Sequence, residues 1–304
     1  DISGCVSGPG TTAWSSSAID VWTGSTSALT NNDIHDSDNG IISNSASPTI
    51  SGNTFSGIAA DDIRFDYFVK GNPTPFWAEY YNTIQAAIDA IPVTTYPVIV
   101  WVAIYSGAGT YVEQVEVAKN CQIYGAGAGY AIIQSPAILT KGWTTSTTNK
   151  PVVYIHDATD VILGDVTVDG LSLGNANYRF MGVGFRNAGG TVWNCEVLNI
   201  KDTPFSGTQH GVGIYAYNDD SVARSITVEG CTITGFQKNG MALISNATTP
   251  LAVNVTGNTV TGAGATSVTA QNGIHIGSVV GLTSGTVPDN VVSGIGYTGT
   301  RRVA

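Results

Sequence analysis

Charge is what this chain has least of. Lys, Arg, Asp and Glu together make up 11% of its 304 residues, under half of the roughly 25% usual in soluble domains. That scarcity excludes an architecture of amphipathic surface helices, whose outer faces need Glu, Lys and Arg in quantity. Basic residues are the scarcer sign: 12 Lys and Arg stand against 22 Asp and Glu, a net charge of −10. With no basic stripe, the footprint of a nucleic-acid binder is missing, and an anionic surface is not drawn to anionic lipid. No run of about 18 apolar residues occurs, so no transmembrane helix is encoded. No secretory signal is visible. The opening "DISGC" lacks an initiator Met, from which we expect a processed or excised N-terminus. The four cysteines (Cys5, Cys121, Cys195 and Cys231) contain no C-x-x-C pair. The four histidines (His35, His156, His210 and His275) show no H-x-H or H-x-x-x-H spacing. A zinc or copper site is therefore not expected.

What the chain does have is 37 glycines among abundant Ser, Thr, Asn and Val, a composition of short strands joined by small-residue turns. Two motifs interleave. The first runs "VWNCEVLNI" (192–200), "VEGCTITGF" (228–236), "VTGNTVTGA" (255–263) and "VPDNVVSGI" (287–295). The second runs "MGVGF" (181–185), "HGVGIYA" (210–216), "NGMALIS" (239–245) and "NGIHIGS" (272–278). Aligning Gly182, Gly211, Gly240 and Gly273 gives steps of 29, 29 and 33 residues, each holding about three strand-like runs. A coil of three strands, each pairing with its counterpart one rung along, needs such a period, and its core exists only when rungs stack. The Asn/Cys position then stacks on itself, with Asn hydrogen-bonding along the axis as an internal ladder. The expectation is an all-β, right-handed parallel β-helix, a three-sheet solenoid. Cys195 and Cys231 fall where Asn258 and Asn290 stand, and we read them as buried thiols. The alternative, a Cys195–Cys231 disulfide, fits the spacing of adjacent strands.

Residues 1–60 carry the same grammar, with Asn32 or Asn53 on the ladder. The grammar stops at 61–97, an aromatic linker in which Thr83 can N-cap "IQAAIDAI". Ile84, Ala87, Ile88 and Ile91 then share one face of a short capping helix near 83–91, which Pro92 ends. Residues 98–304 form the main β-helix. The stretches "NTIQAAIDAIP" (82–92) and "GTYVEQVEVAKNCQIYGAGAG" (109–129) resemble the N-terminal cap and first rungs of the pectin-lyase-like superfamily, as in pectin methylesterases. The rungs "GNTVTG" and "QNGIHI" are similar to the repeats of bacterial and archaeal surface β-helix proteins, including a periplasmic copper-associated family. The resemblance covers roughly residues 80–300, and 1–60 resembles the C-terminal rungs of the same fold. It implies a fold rather than an activity, because the superfamily hosts lyases, hydrolases, esterases, epimerases, adhesins and inert scaffolds.

The catalytic motifs that such enzymes share are largely missing. There is no Gln-Asp dipeptide of the esterases and no Arg-x-Pro-x-x-Arg of the pectate lyases, and Gln85 matches only the cap. Of the polygalacturonase set, only Asp219-Asp220 and Gln209-His210-Gly211 are present, in the wrong chain order. The best constellation is Lys201, Asp202, His210, Asp219 and Asp220. Two carboxylates and a His suit acid–base work on a glycoside, but "GTQHG" and "YNDDS" also read as polar turns, and no basic residue is grouped beside them. We assign no catalytic, cofactor-binding or metal residues. The oxygen-rich "NNDIHDSDNG" (31–40) invites calcium, yet lacks the EF-hand pattern and reads equally as an acidic turn. Asn246-Ala247-Thr248 and Asn254-Val255-Thr256 are glycosylation acceptors in form. Phe65, Tyr67, Phe68, Phe76, Trp77, Tyr80 and Tyr81 are read as a hydrophobic plug or subunit contact, with a carbohydrate platform as the alternative.

Placing 1–60 ahead of the cap within one stack is awkward, and "SGIGYTGTRRVA" (293–304) carries no capping element. We therefore expect residues 1–60 to complete the stack of another copy, head to tail, which would build a filament. The reading is an extracellular or cell-surface structural protein whose partners are copies of itself, in the form of subunits or one window of a longer tandem-repeat protein. The alternative is a secreted polysaccharide-acting enzyme (lyase or glycoside hydrolase) or a carbohydrate-binding adhesin of the same fold.

Overall fold

A computed structural model describes residues 2–3, 17–22, 25, 27–44, 48–59, 63–69, 80–91, 100–246, 248, 251–278 and 283–300. The chain divides into two compact units, Asp1–Gly107 and Ala108–Ala304.

In the second unit the chain visits three parallel sheets in strict rotation. The first sheet contains Gly109–Val112, Ala131–Gln134, Thr167–Asp169, Glu196–Leu198, Thr232–Thr234, Thr259–Thr266 and Val291–Tyr297. The second contains Val115–Val117, Thr148–His156, Phe180–Arg186, Val212–Asn218, Asn239–Ser245 and Asn272–Ser278. The third contains Cys121–Gly125, Val161–Gly164, Gly190–Trp193, Arg224–Glu229, Leu251–Thr256 and Thr283–Thr286. Each strand pairs in parallel with its counterpart one rung on, for example Val183 with Ile214 and Ile214 with Met241. This is the three-sheet parallel β-helix expected from the repeats.

Strand alternation builds the core. Val115, Val153, Val183, Ile214 and Met241 form one inward column in register, each 0% exposed. In the first sheet, Ile133, Val168, Val197, Ile233 and Val260 form another, all 0% exposed. Val292 continues that column at 46% exposure, because among the described residues no further strand covers it.

The turns explain the first motif. Asn194, Gly230, Gly257 and Asp289 all have positive φ, at 50°, 63°, 65° and 59°. Each precedes a ladder residue: Cys195, Cys231, Asn258 and Asn290. Only Gly, Asn and Asp enter the left-handed region at small cost, which is why the sequence varies among those three there. The ladder is hydrogen-bonded as expected. Asn258 Oδ1 accepts from the Cys231 N–H at 2.9 Å, and Asn290 Oδ1 accepts from the Asn258 N–H at 3.0 Å and Nδ2 at 2.8 Å. Cys121, Cys195 and Cys231 are buried thiols. Cys5 lies outside the described residues.

The second motif needs a two-residue correction. Val212 pairs with Met181 and Asn239 with Val212, so the column is Gly182, Gly213, Gly240 and Gly273, and Gly211 sits in the preceding turn at φ 82°. The column tolerates no side chain: a Cβ on Gly213 would lie 2.6 Å from the Gly240 carbonyl oxygen and 2.7 Å from Ile233 Cγ2. "HGVGIYA" offers two glycines, and only close approach inside the stack tells them apart.

In the first unit, Ser17–Val21, Asn39–Ser43, Ile63–Val69 and Val100–Ser106 pair in parallel in that order. This corrects the premise that residues 1–60 stand outside the stack entered after the helix. Ile41 pairs with Ile63, and Ile63 with Val100, so rungs before and after the helix share one sheet of one chain. The ladder recurs here: Asn53 Oδ1 accepts from Asn32 N and Nδ2 at 2.9 and 2.8 Å, so both asparagines belong to it. The helix Ile84–Ala90 starts at the expected cap, with Thr83 Oγ1 accepting from Ala86 N at 3.0 Å. Ile84, Ala87, Ile88 and Ile91 are buried. Of the aromatic cluster, Phe65 and Tyr67 share strand parity with Ile63 and Val69 and point into the core at 2% and 0% exposure. Tyr81 meets Tyr67 edge-on at 5.4 Å. Phe65 and Tyr67 are thus neither platform nor contact, since strand parity turns them inward. Phe76 and Trp77 lie outside the described residues.

Candidate functional site

The outer face of the second sheet carries a ribbon of rings. Tyr154, Gly184, Tyr215 and Ala242 lie side by side in register, as do His156, Arg186, Tyr217 and Ile244. They alternate with the inward columns and so face outward. Trp143 reaches this face on a short antiparallel hairpin, pairing with Asn149. Its indole stacks between Tyr154 (5.4 Å, 17°) and Tyr215 (5.9 Å, 12°). Gly184 makes the slot: a Cβ there would lie 3.1 Å from Trp143 Cζ3 and 2.9 Å from Pro151 Cβ. Tyr215 continues to Tyr217 at 6.2 Å and 11°, and the Arg186 guanidinium lies 5.3 Å from the Tyr217 ring centre, within cation–π range. At the other end His156 stacks on Tyr154 at 4.4 Å. Trp143 and Tyr154 are buried under this packing, whereas Tyr215 and Tyr217 stay partly exposed. Burial, and then Asp157, pushes the Tyr154 phenol up to about 12; burial, and then Tyr217, does the same to Tyr215. Both phenols stay protonated at neutral pH.

Charges bracket the ribbon in pairs. Glu116 accepts from Lys141 Nζ at 2.6 Å and meets His156 Nε2 at 3.2 Å. Burial raises the Glu116 carboxyl, but the Lys141 and His156 contacts outweigh it and hold it below the ordinary value. At the far end Arg186 holds Asp219 through both guanidinium nitrogens, Nη2–Oδ2 at 2.7 Å, and Asn187 Nδ2 donates to Asp219 at 3.0 Å.

Where the second-sheet strands begin, a cavity of about 160 Å³ opens beside Tyr215, lined among others by Asn149, Arg179, His210, Lys238 and Asn239. Behind it lie two residues that the sequence offered for acid–base work. Asp202 and His210 are brought together, Nε2 to Oδ1 at 2.8 Å, with side chains 4% and 2% exposed. Their remaining valences are taken. His210 Nδ1 accepts from the Arg179 N–H at 3.0 Å, which places the ring proton on Nε2, donated to Asp202. Asp202 Oδ2 accepts from Ser206 Oγ and from Gln237 Nε2, the latter at 3.2 Å. Gln237 Oε1 in turn accepts from the Asp202 N–H at 2.9 Å. Burial pushes the Asp202 carboxyl up, but Ser206, His210 and Gln237 together hold it below its ordinary 3.8. With both ring nitrogens and both carboxylate oxygens engaged and the side chains buried, the pair is a brace that fixes where the strand Phe180–Arg186 begins.

The rest of that constellation does not assemble. Asp219 and Asp220 follow the strand Val212–Asn218 while His210 precedes it, a separation of about 23 Å at ~3.3 Å per residue. The sequence reading found no basic partner for them. The fold supplies one each: Arg186 for Asp219, and Arg224 for Asp220. Lys201 lines a different surface hollow, with Phe205 and Thr234. In "NNDIHDSDNG", Asn32 serves the ladder, Asp33 accepts from Thr54 Oγ1 at 2.8 Å and Asp36 meets His35 Nδ1 at 2.9 Å. Asn246 donates its amide to Tyr217 Oη at 2.8 Å, and Asn254 accepts from Thr286 Oγ1 at 2.8 Å in mid-strand.

Residues 105–281 match the family described as the right-handed β-helix region. The chain belongs to the right-handed β-helix family. Among curated proteins this β-helix is similar to a probable pectinesterase/pectinesterase inhibitor 47 of Arabidopsis thaliana, 27% identical over 227 residues. That match takes in 71% of this chain and 32% of the relative, so the β-helix spans about a third of that protein's length. No solved structure matches.

The aromatic ribbon was not found from the sequence. Its signal was there in "GIYAYN" (213–218), where tyrosines alternate with inward Ile214 and Ala216. The basic residues of the cavity, Arg179 and Lys238, were also missed, because each sits alone in the sequence.

Proposed function

We propose that the outer face of the second sheet is a carbohydrate-binding surface, and that the protein works outside the cell or in a cell wall. The observation that carries this is the partly exposed Tyr215 and Tyr217, aligned nearly parallel with Trp143 in one row of rings. The C–H face of a sugar ring is apolar and weakly positive and suits an aromatic face of opposite polarity, while its hydroxyls find the protonated phenols and the bracketing charges. Two backgrounds support the reading: the similar Arabidopsis protein is a probable pectinesterase/pectinesterase inhibitor, and among the described residues no helix is long and apolar enough to cross a membrane. Binding is favoured over bond cleavage. The carboxylates that bracket the ribbon, Glu116 and Asp219, stand at opposite ends of it and are each held by cations, whereas glycoside hydrolysis uses two carboxyl groups flanking one bond.

The test is retention of the purified protein on immobilised pectin, alginate and neutral plant polysaccharides, with Tyr217→Ala and Tyr215→Ala alongside. Retention of the parent on at least one polymer, lost in both variants, is expected. Retention that is absent, or that survives both substitutions, overturns the reading.

A further inference from the structure

The cavity at the strand starts has an unusual charge pattern for so acidic a chain. Arg64, Arg186 and Arg224 each meet a carboxylate. Arg179 does not: its guanidinium donates to Thr145 Oγ1 at 2.8 Å, Ser146 Oγ at 2.8 Å and Asn149 Oδ1 at 3.3 Å, all neutral oxygens. Across the cavity Lys238 Nζ donates to the Ala270 carbonyl at 2.6 Å. Among the described residues, neither cation has an ion-pair partner. Their backbones are pinned. Arg179 is held at φ 58°, an unfavourable conformation for a side-chain-bearing residue, with its N–H on His210. The Lys238 N–H donates to the Gly211 carbonyl at 2.9 Å. The Asp202–His210 brace therefore fixes one cation directly. Asn239 Oδ1 accepts from Asn272 Nδ2 at 2.7 Å, so its side chain offers the cavity an N–H donor. A guanidinium, an ammonium and an amide around one small space form a set of donors without an opposing acid.

We propose that this cavity binds a single oxyanion substituent, a carboxylate or a sulfate, carried by a sugar unit of the ligand. Arg179 supplies a planar fork, of which its present contacts use three of five N–H donors, and Lys238 supplies a point charge. At about 160 Å³ the cavity has the volume of roughly five waters at ~30 Å³ each, enough for one acidic group and part of its ring. Tyr215 lines the cavity and also belongs to the aromatic ribbon, so a sugar stacked on that ring sits beside the two cations. The proposal rests on the carbohydrate reading for the choice of sugar and on the cavity alone for the charge.

Isothermal titration of the intact protein with galacturonate, galactose-6-sulfate and galactose tests it. Binding of at least one charged sugar is expected, weakening as salt rises, with galactose bound about tenfold or more weakly. The two charged sugars identify the source of the oxyanion. Lys238→Met is expected to weaken the charged sugar about tenfold or more, and Arg179→Gln at least as much. Because Arg179 also fastens the hairpin, Lys238→Met with an unchanged circular dichroism spectrum is the deciding variant. Equal binding of galactose and the charged sugars, or full affinity in folded Lys238→Met, overturns the oxyanion site while leaving carbohydrate binding intact. Binding of no charged sugar overturns it as well, and retention on polysaccharide then reports separately on the wider reading.

Discussion

Replacing Asp202 by Ala separates a structural brace from a catalytic acid. In the folded chain this buried carboxylate accepts from His210, Ser206 and Gln237. Without it, His210 Nε2–H is left buried with no acceptor, an orphan worth about 1–3 kcal/mol. Ser206 and Gln237 keep second partners in Thr208, so their losses are smaller. Because the imidazole is neutral, no unpaired charge is left behind, and the orphaned donor sets the scale of the loss, still a sizeable part of the roughly 5–15 kcal/mol typical of a whole domain. Urea unfolding followed by tryptophan fluorescence is expected to show a lowered midpoint. Asp202→Asn, which keeps an oxygen for His210 but turns an N–H₂ group toward the Gln237 donor, is expected to lose less. pH gives a second reading of the same brace. The folded carboxyl lies below its unfolded 3.8, so its stabilisation is complete above that value and is lost as pH falls through the lower folded value. Asp202→Asn is therefore expected to flatten the acid limb of stability below about pH 3.8. A wild-type urea midpoint in Asp202→Ala would refute the reasoning.

Substitutions at three further positions probe the solenoid. Gly213→Ala pushes a methyl to 2.6 Å from a ladder carbonyl; overpacking of this kind costs about 1–3 kcal/mol or more. Gly257→Ala, at φ 65° with nothing within 4 Å of its Cβ, is expected to cost only the ~1–2 kcal/mol of left-handed backbone. Thermal melts of the two side by side check that the stack, rather than the turn, is the stricter constraint. Asn258→Ala leaves the Cys231 N–H without its acceptor and the Val228 carbonyl without the Asn258 amide, while Asn290 Oδ1 keeps the Asn258 backbone N–H, for an expected loss of about 1–3 kcal/mol by denaturant titration. Asn258→Cys, copying the residue used at 195 and 231, is expected to cost less.

The fold was legible because its rules are local. Alternation set which residues enter the core, left-handed turn positions confined Asn194, Gly230 and Asp289 to three residue types, and Thr83 announced the helix. Legibility ended where two candidates satisfied the same local rule. Gly211 and Gly213 are equivalent on paper, and only the approach of the Gly240 carbonyl chooses between them. Residues 1–60 looked like rungs in need of another copy, and pairing of Ile41 with Ile63 gave them a neighbour within the chain.

The sequence by itself therefore determined the parallel β-helix, the Asn/Cys ladder and the helix, since each follows from spacing within one or two rungs. The fold alone decided the candidate site. Trp143, Tyr154, Tyr215 and Tyr217 become one surface because rungs of unequal length bring them into register, and Arg179 and Lys238 share a cavity because the starts of successive strands stack. The same register carried Asp219 a strand's length from His210, and dissolved the acid–base group that their closeness in sequence had suggested.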